Sequence, residues 1–234
     1  MKRLALVLGG TGHVGAAVLE GLAAAGVRTL FTFAAAEGRA EELAARFRHT
    51  AERLDLRRAD DVRGFAGRLL AAGDVPDVIV HVAAHPDWRA LDDVDAAGWD
   101  DVFAVGVRGP FLLVQALAAP LRERGADLVF AAGMAPLRPV AAPPQAAAAQ
   151  AALAGLARSL ARALAPRVRA NVVCLGTLDG GTATRAGASF AHDQQRFAAL
   201  GRVGQAAEIA RAILWLALEN SYISGAILQV AGGL

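Results

Sequence analysis

Leu4-Ala5-Leu6-Val7-Leu8-Gly9-Gly10-Thr11-Gly12-His13-Val14-Gly15-Ala16-Ala17-Val18-Leu19 runs from an apolar segment through a glycine-rich turn into a helical pattern. An uninterrupted apolar run this short, closed by glycines, suits a strand buried on both faces. Gly9 permits the turn, Gly12 lets backbone N–H groups approach a pyrophosphate at the helix N-terminus, and Gly15 lets the helix lie close on the strand. In this strand–turn–helix context Gly9, Thr11, Gly12 and Gly15 are the candidate contacts to a dinucleotide. The same glycines could also serve packing alone, and His13 reads as an exposed loop residue.

Working outward, strand-like runs alternate with helical patterns at βα spacing. Strands are expected at Leu4–Leu8, Arg28–Phe33, Thr50–Asp55, Asp77–Val82, Asp127–Ala132, Arg167–Cys174 and Ala226–Val230. Helices are expected at His13–Ala25, Gly38–Arg48, Asp60–Ala72, Trp99–Arg124, Gln145–Ala165 and Ala206–Leu218. With no linker and no internal repeat, the pattern predicts a single α/β domain over residues 1–234, a Rossmann-like, doubly wound, parallel seven-stranded sheet with helices on both faces. Gly176–Gly201, rich in Gly, Thr and Ala after the sixth strand, is the candidate substrate lid.

Composition narrows the function classes. The 234 residues are 55% apolar, enough for one sizeable core, and 24 basic against 22 acidic side chains leave a net charge of only +2, which does not imply nucleic acid. The single Cys, Cys174, excludes an internal disulfide and a Cys-based metal cluster; it reads as core, and no metal is expected. Val140–Leu156 is apolar but too short for a membrane span, so neither a membrane partner nor an export route is expected and the cytoplasm is the expected location. The chain has one Tyr, Tyr222, and one Lys, Lys2.

The chain resembles the short-chain dehydrogenase/reductase family over essentially its full length. Leu54-Asp55 with Arg57 and Asp61 looks like the family segment at the adenine edge, which makes Asp55 a cofactor candidate by resemblance. Arg202-Val203-Gly204-Gln205, Glu208-Ile209-Ala210, Trp215-Leu216, Tyr222-Ile223-Ser224-Gly225 and Val230-Ala231-Gly232-Gly233 resemble the ending of bacterial 3-oxoacyl-carrier-protein reductases. The glycine turn and His81-Val82-Ala83-Ala84, which adds Ala83 to the cofactor candidates, look more like the extended and atypical branches.

That resemblance implies an Asn, a Ser, a Tyr and a Lys acting together: Tyr moves the proton, Lys depresses its pKa and holds the ribose, Ser steadies the oxygen, and Asn supports a water relay. The family register puts Gly106 at the Asn, Gly133 at the Ser, Ala146 at the Tyr and Gln150 at the Lys, and no Tyr-x-x-x-Lys exists anywhere in the chain. Losing a positioned acid costs about 10²–10⁴ in rate, so ordinary ketoreduction is not expected. His81 and His85 are the substitute acid–base candidates, each with a plain reading as a loop His bonded to backbone. Arg138 could meet an acidic carrier, and Asp179 is an isolated loop acid. Leu175-Gly176 replaces the usual Pro-Gly at the nicotinamide, with Leu178 as an apolar contact. Phe33-Ala34-Ala35-Ala36 carries no charge to choose between NAD and NADP, with Arg39 the nearest phosphate candidate, so either cofactor is expected to bind weakly.

Three functions follow: a non-catalytic subunit forming homo- or hetero-oligomers with a related active reductase, an enzyme with a repurposed pocket (a dehydratase, isomerase or cyclase, or a residual 3-oxoacyl ketoreductase), and a nucleotide sensor. The apolar helix with Phe103, Val107, Phe111, Leu112, Val114 and Leu117 is the expected oligomer contact.

Overall fold

The computed structural model describes residues 3–85, 87–140, 142–181 and 194–234. Seven parallel strands form one sheet in the order β3-β2-β1-β4-β5-β6-β7. They are β1 (Leu4–Leu8), β2 (Arg28–Phe33), β3 (Thr50–Arg53), β4 (Val78–His81), β5 (Ala126–Ala132), β6 (Val168–Leu175) and β7 (Ile227–Val230). The helices are α1 (His13–Ala24), α2 (Glu37–Phe47), α3 (Ala59–Ala72), α4 (Ala96–Phe103), α5 (Gly109–Arg124), α6 (Pro144–Ala163) and α7 (Ala206–Leu214).

Side chains alternate across the sheet, as strand geometry requires. Leu6, Leu8, Ile79, Leu128, Phe130 and Val172 build one core layer with residues of α3, α5 and α6, including Phe65, Leu117 and Leu153. Ala5, Val7, Val78, Val80, Val129 and Val173 build the other with α1, α2 and α7, including Leu22, Leu43 and Ile213. Both faces of the central strands are covered, which accounts for their unbroken apolar runs. From β1 the chain first winds out to β3, then returns to lay β4 on the opposite side of β1. This reversal opens a crevice beyond the carboxyl ends of β1 and β4, where ligands of such sheets bind.

Most elements agree with the sequence reading, with ends displaced by one or two residues. Three differences stand out. The segment expected as one helix from Trp99 begins at Ala96, because the Asp95 carboxylate accepts from Gly98 N–H at 2.8 Å and caps it. It is then interrupted by a wide π-helical turn, Ala104–Arg108, before α5. A second π turn, Trp215–Glu219, replaces the end expected for α7. By length and composition alone the helical stretch 96–124 could cross a membrane, with a mean hydropathy of 1.7 in its most apolar 18-residue window. In this fold Leu113, Val114, Leu117 and Leu121 of that stretch are buried in the sheet's core.

Candidate functional site

The glycine turn is shaped by close approach on three sides. Gly9 has φ +89°, and a Cβ on it would lie 2.6 Å from Ala83 Cα. A Cβ on Gly10 would meet Phe31 Cδ2 at 2.5 Å, and one on Gly15 would meet the Gly9 carbonyl oxygen at 2.3 Å. Ala83 therefore seats the turn of β1 against the loop of β4. Gly12 is the exposed N-cap of α1 and donates its N–H to the Gly9 carbonyl at 3.1 Å. Thr11 offers its carbonyl to Arg39 Nε at 3.0 Å. The turn leads into the α1 N-terminus, whose first N–H groups have no intrahelical partner and can meet an anion.

Beyond β2, the turn Ala34–Ala36 is uncharged, yet two guanidinium groups attend it. Arg39 bonds Thr11 as above, and Arg53 Nε donates to the Ala34 carbonyl at 3.2 Å. Arg53 escaped the sequence reading; it ends β3, and the parallel register Phe33↔Arg53 brings it to this turn. Asp55 lies just past β3. Its carboxylate accepts from Arg57 Nε at 3.0 Å and from Arg57 NH2 at 2.8 Å, and this pairing holds its pKa low. The adenine-edge candidate is thus an ionised carboxylate already bound to Arg57.

Toward α6, two of the positions singled out by the sequence register meet. Gly133 follows β5 and packs on Gln150: a Cβ on Gly133 would stand 2.6 Å from Gln150 Oε1. Gly106 lies in the π turn, where a Cβ would be 3.7 Å from Ala149 Cβ. Ala146 is one helical turn before Gln150 on α6. None of Gly106, Gly133, Ala146 and Gln150 carries a hydroxyl, phenol or ammonium. The lone Tyr222 is 97% exposed, remote in sequence in the segment before β7.

His81 corrects the sequence reading. It is the last residue of β4, not a loop residue, and it is 1% exposed, edge-on to Phe130 at 6.3 Å between centroids. The main chain of Gly106 faces its ring, but neither ring nitrogen has a hydrogen-bond partner among the described residues. Burial pushes its pKa down to about 4. A neutral imidazole sealed from solvent is poorly suited to exchanging protons with a substrate. His85 is half-buried in the loop after β4. Gln145, fully buried, was not singled out by the sequence; its Nε2 donates to the Asp87 carbonyl at 3.3 Å, and Oε1 lacks a partner among the described residues. Asp87 in turn is held at about 2 by Arg89, whose guanidinium also reaches Asp95 at the head of α4.

Arg138 is exposed, and Cys174 is core, its thiol pushed up to about 11 by burial. Leu178 is buried and its backbone pairs with Gly204. Of the expected lid, residues 182–193 lie outside the described residues. Asp179, an exposed acid in the sequence reading, uses its main-chain carbonyl to accept from His13 Nε2 at 2.7 Å.

The family model described as enoyl-(acyl carrier protein) reductase matches residues 11–234. The chain belongs to the short-chain dehydrogenase/reductase family. It is 27% identical to the 3-oxoacyl-[acyl-carrier-protein] reductase FabG of Aquifex aeolicus, over 99% of this chain and 97% of that one. It is 29% identical to the cyclic-di-GMP-binding biofilm dispersal mediator protein of Escherichia coli (strain K12), over 97% of this chain and 94% of that one. Among solved structures, a blue fluorescent protein from a metagenomic library in complex with NADPH superposes with a TM-score of 0.90, at 27% identity, covering 99% of this chain and 97% of that one.

Proposed function

We propose that this chain is a dinucleotide-binding member of the family that does not perform ordinary ketoreduction and serves as a non-catalytic partner of an active relative, as a homo- or hetero-oligomer. The observation that carries this reading is the contact between Gly133 and Gln150. Where family chemistry calls for a hydroxyl beside an ammonium, this chain has a bare backbone filled by an amide. An amide hydrogen-bonds but neither carries the charge that lowers a phenol's pKa nor supplies a proton.

The residues present fit a nicotinamide dinucleotide at its phosphate and ribose ends. Gly9, Gly10 and Gly15 let the turn close against Ala83 and Phe31, where a Cβ would collide, and the α1 N-terminus supplies N–H donors to a pyrophosphate. Arg39 and Arg53 supply positive charge at the turn after β2, which favours the 2′-phosphate of NADP over the bare ribose of NAD. When bound, the dinucleotide would supply hydride chemistry; in this chain Gln150 can hydrogen-bond its ribose, while among the described residues no positioned side chain delivers the matching proton.

The partner surface is the face of α4, the π turn and α5, where Phe103, Val107 and Phe111 with Leu156 of α6 line a groove, and Trp99 stacks on Phe103 at 5.1 Å. Trp99 and Phe111 are each more than a third exposed, an apolar face suited to a second subunit. The test is twofold. The purified chain with NADPH and 3-oxoacyl thioesters should oxidise cofactor at no more than about 10⁻⁴ of an active relative's rate, and the chain expressed in its own cell should co-purify with an intact family member. Robust turnover defeats the reading. A second reading, a nucleotide sensor, draws support from the cyclic-di-GMP-binding relative; tight nucleotide binding with neither turnover nor a co-purifying reductase would favour it.

A further inference from the structure

The two sides of the crevice differ in charge. On the side of β1, β2 and β3, Arg39 and Arg53 attend the turn after β2, and the Asp55 carboxylate is bound by Arg57. On the side of β4, β5 and β6 the strand ends are nearly free of charge. His81, closing β4, is buried and neutral at pH 7, and no ionisable acid or base lies between Ala170 of β6 and Leu178 except the buried Cys174. From Leu128 of β5 to Ala157 of α6 the sequence carries a single charged side chain, Arg138, which is exposed. Beside the head of α6, Asp87 and Asp95 share the guanidinium of Arg89, two carboxylates on one cation, and Gln145 of the first turn donates to the Asp87 carbonyl. Gln150 lies in this charge-poor half. Its Oε1, Cδ and Nε2 lie 2.6, 3.1 and 3.1 Å from where a Cβ on Gly133 would stand, so the amide lies across the carboxyl end of β5, in room that the missing side chain provides. It hydrogen-bonds to none of the described residues, which leaves both a donor and an acceptor to offer a ligand.

A dinucleotide lies across such a crevice with one nucleotide over each half of the sheet. With the phosphate-bearing adenosine drawn toward Arg39 and Arg53, the nicotinamide nucleotide falls over β4, β5 and β6. Its ring is the part whose charge depends on redox state: cationic when oxidised, neutral when reduced. A cationic side chain at residue 150 would repel the oxidised form and leave the reduced form untouched. A neutral amide repels neither, and its hydrogen bonds serve the ribose of both. The surplus carboxylate of the Asp87–Arg89–Asp95 cluster offsets the fractional positive charge at the head of α6, so the helix restores no repulsion. We propose that Gln150 is a specificity-determining residue that opens the nicotinamide half of the site to the oxidised dinucleotide, so that the chain binds NADP⁺ at least as tightly as NADPH. This rests on the reading of the chain as a dinucleotide binder, which it deepens by naming the redox form the site takes.

The experiment is a charge series at residue 150. Calorimetry at one ionic strength gives the dissociation constants of NADP⁺ and NADPH for the full chain, Gln150→Lys, Gln150→Glu and Gln150→Ala. The parent should bind NADP⁺ as tightly as NADPH or more tightly. Gln150→Lys should shift the ratio of the two constants toward NADPH by about five- to tenfold, the effect of one partly screened charge near the ring, and Gln150→Glu should shift it toward NADP⁺ by a similar factor. Gln150→Ala should weaken both by about threefold, a lost hydrogen bond, and leave the ratio alone. Added salt should shrink the two opposed shifts. A side chain that only packs predicts equal weakening of both forms in all three variants; that result overturns the proposal, as do shifts of one sign in Gln150→Lys and Gln150→Glu, or a parent that prefers NADPH. If one charged variant fails to fold, by thermal melting, the sign of the other decides. Failure of the parent and every variant to bind either dinucleotide overturns the dinucleotide reading and this inference with it, whereas binding with a ratio unmoved by charge overturns this inference alone.

Discussion

Gly133 and Gln150 occupy each other's space: the amide oxygen of Gln150 sits 2.6 Å from where a side-chain carbon on Gly133 would begin. The emptied position is a filled one, so chemistry cannot be restored there by one substitution. Gly133→Ser alone should cost about 1 kcal/mol, since the obstructing atom is the end of a flexible side chain, and should show no gain of NADPH oxidation. The combined Gly133→Ser, Ala146→Tyr and Gln150→Lys variant should gain measurable reductase activity toward 3-oxoacyl thioesters. A silent triple variant that still binds NADPH would show that substrate positioning is lost too.

His81 gives the fold a pH dependence whose sign follows from its burial. Its ordinary pKa is 6.5 and its pKa in the folded chain is about 4, so the proton binds the unfolded chain more readily. Its contribution is fully present above about pH 6.5 and is lost as the pH falls toward 4, amounting to about 3 kcal/mol at most. His81→Leu, which replaces an unpartnered polar ring by an apolar side chain, should flatten that part of the stability–pH curve without loss at pH 7. Urea melts at successive pH values measure this; an unchanged acid slope in the variant would assign the loss to other groups.

The glycine turn is intolerant of side chains. Gly9→Ala combines a positive φ with a contact at 2.6 Å to the Ala83 backbone, which cannot rotate away. It should destabilise the fold by about 2 kcal/mol or more and abolish dinucleotide binding. A variant as stable as the parent, by thermal melting, would mean the loop of β4 can retreat.

Cofactor choice should reside in Arg39 and Arg53. Replacing both by Ala should weaken NADPH binding about tenfold while leaving NADH binding nearly unchanged, because only the 2′-phosphate meets them. Equal weakening of both cofactors, in parallel titrations, would mean the pair only braces the turn.

Assembly should depend on the groove of α4 and α5. Phe111, exposed, is the residue to charge; Leu112 packs against the core and is left alone. Phe111→Glu should convert oligomer to monomer in light scattering without lowering the melting temperature of the subunit. A monomeric parent at micromolar concentration would remove the subunit reading.

The order of strands and helices, the glycine-rich turn and the absence of a Tyr-x-x-x-Lys pair were determined by the sequence alone, because apolar periodicity, glycine placement and residue counts are local properties. The sequence reading of His81 as an acid–base candidate came from its nearness to the crevice along the chain. Only tertiary structure decided otherwise, since strand alternation turns that ring inward onto Phe130. Arg53 joined Arg39 through strand register, and Gln150 met Gly133 through the packing of α6 on β5. His13 reached Asp179 across 166 residues of sequence. Such long-range contacts depend on where separate elements come to rest, which composition and spacing do not encode for any one residue; the fold that brings them together is set by the burial of both faces of the sheet.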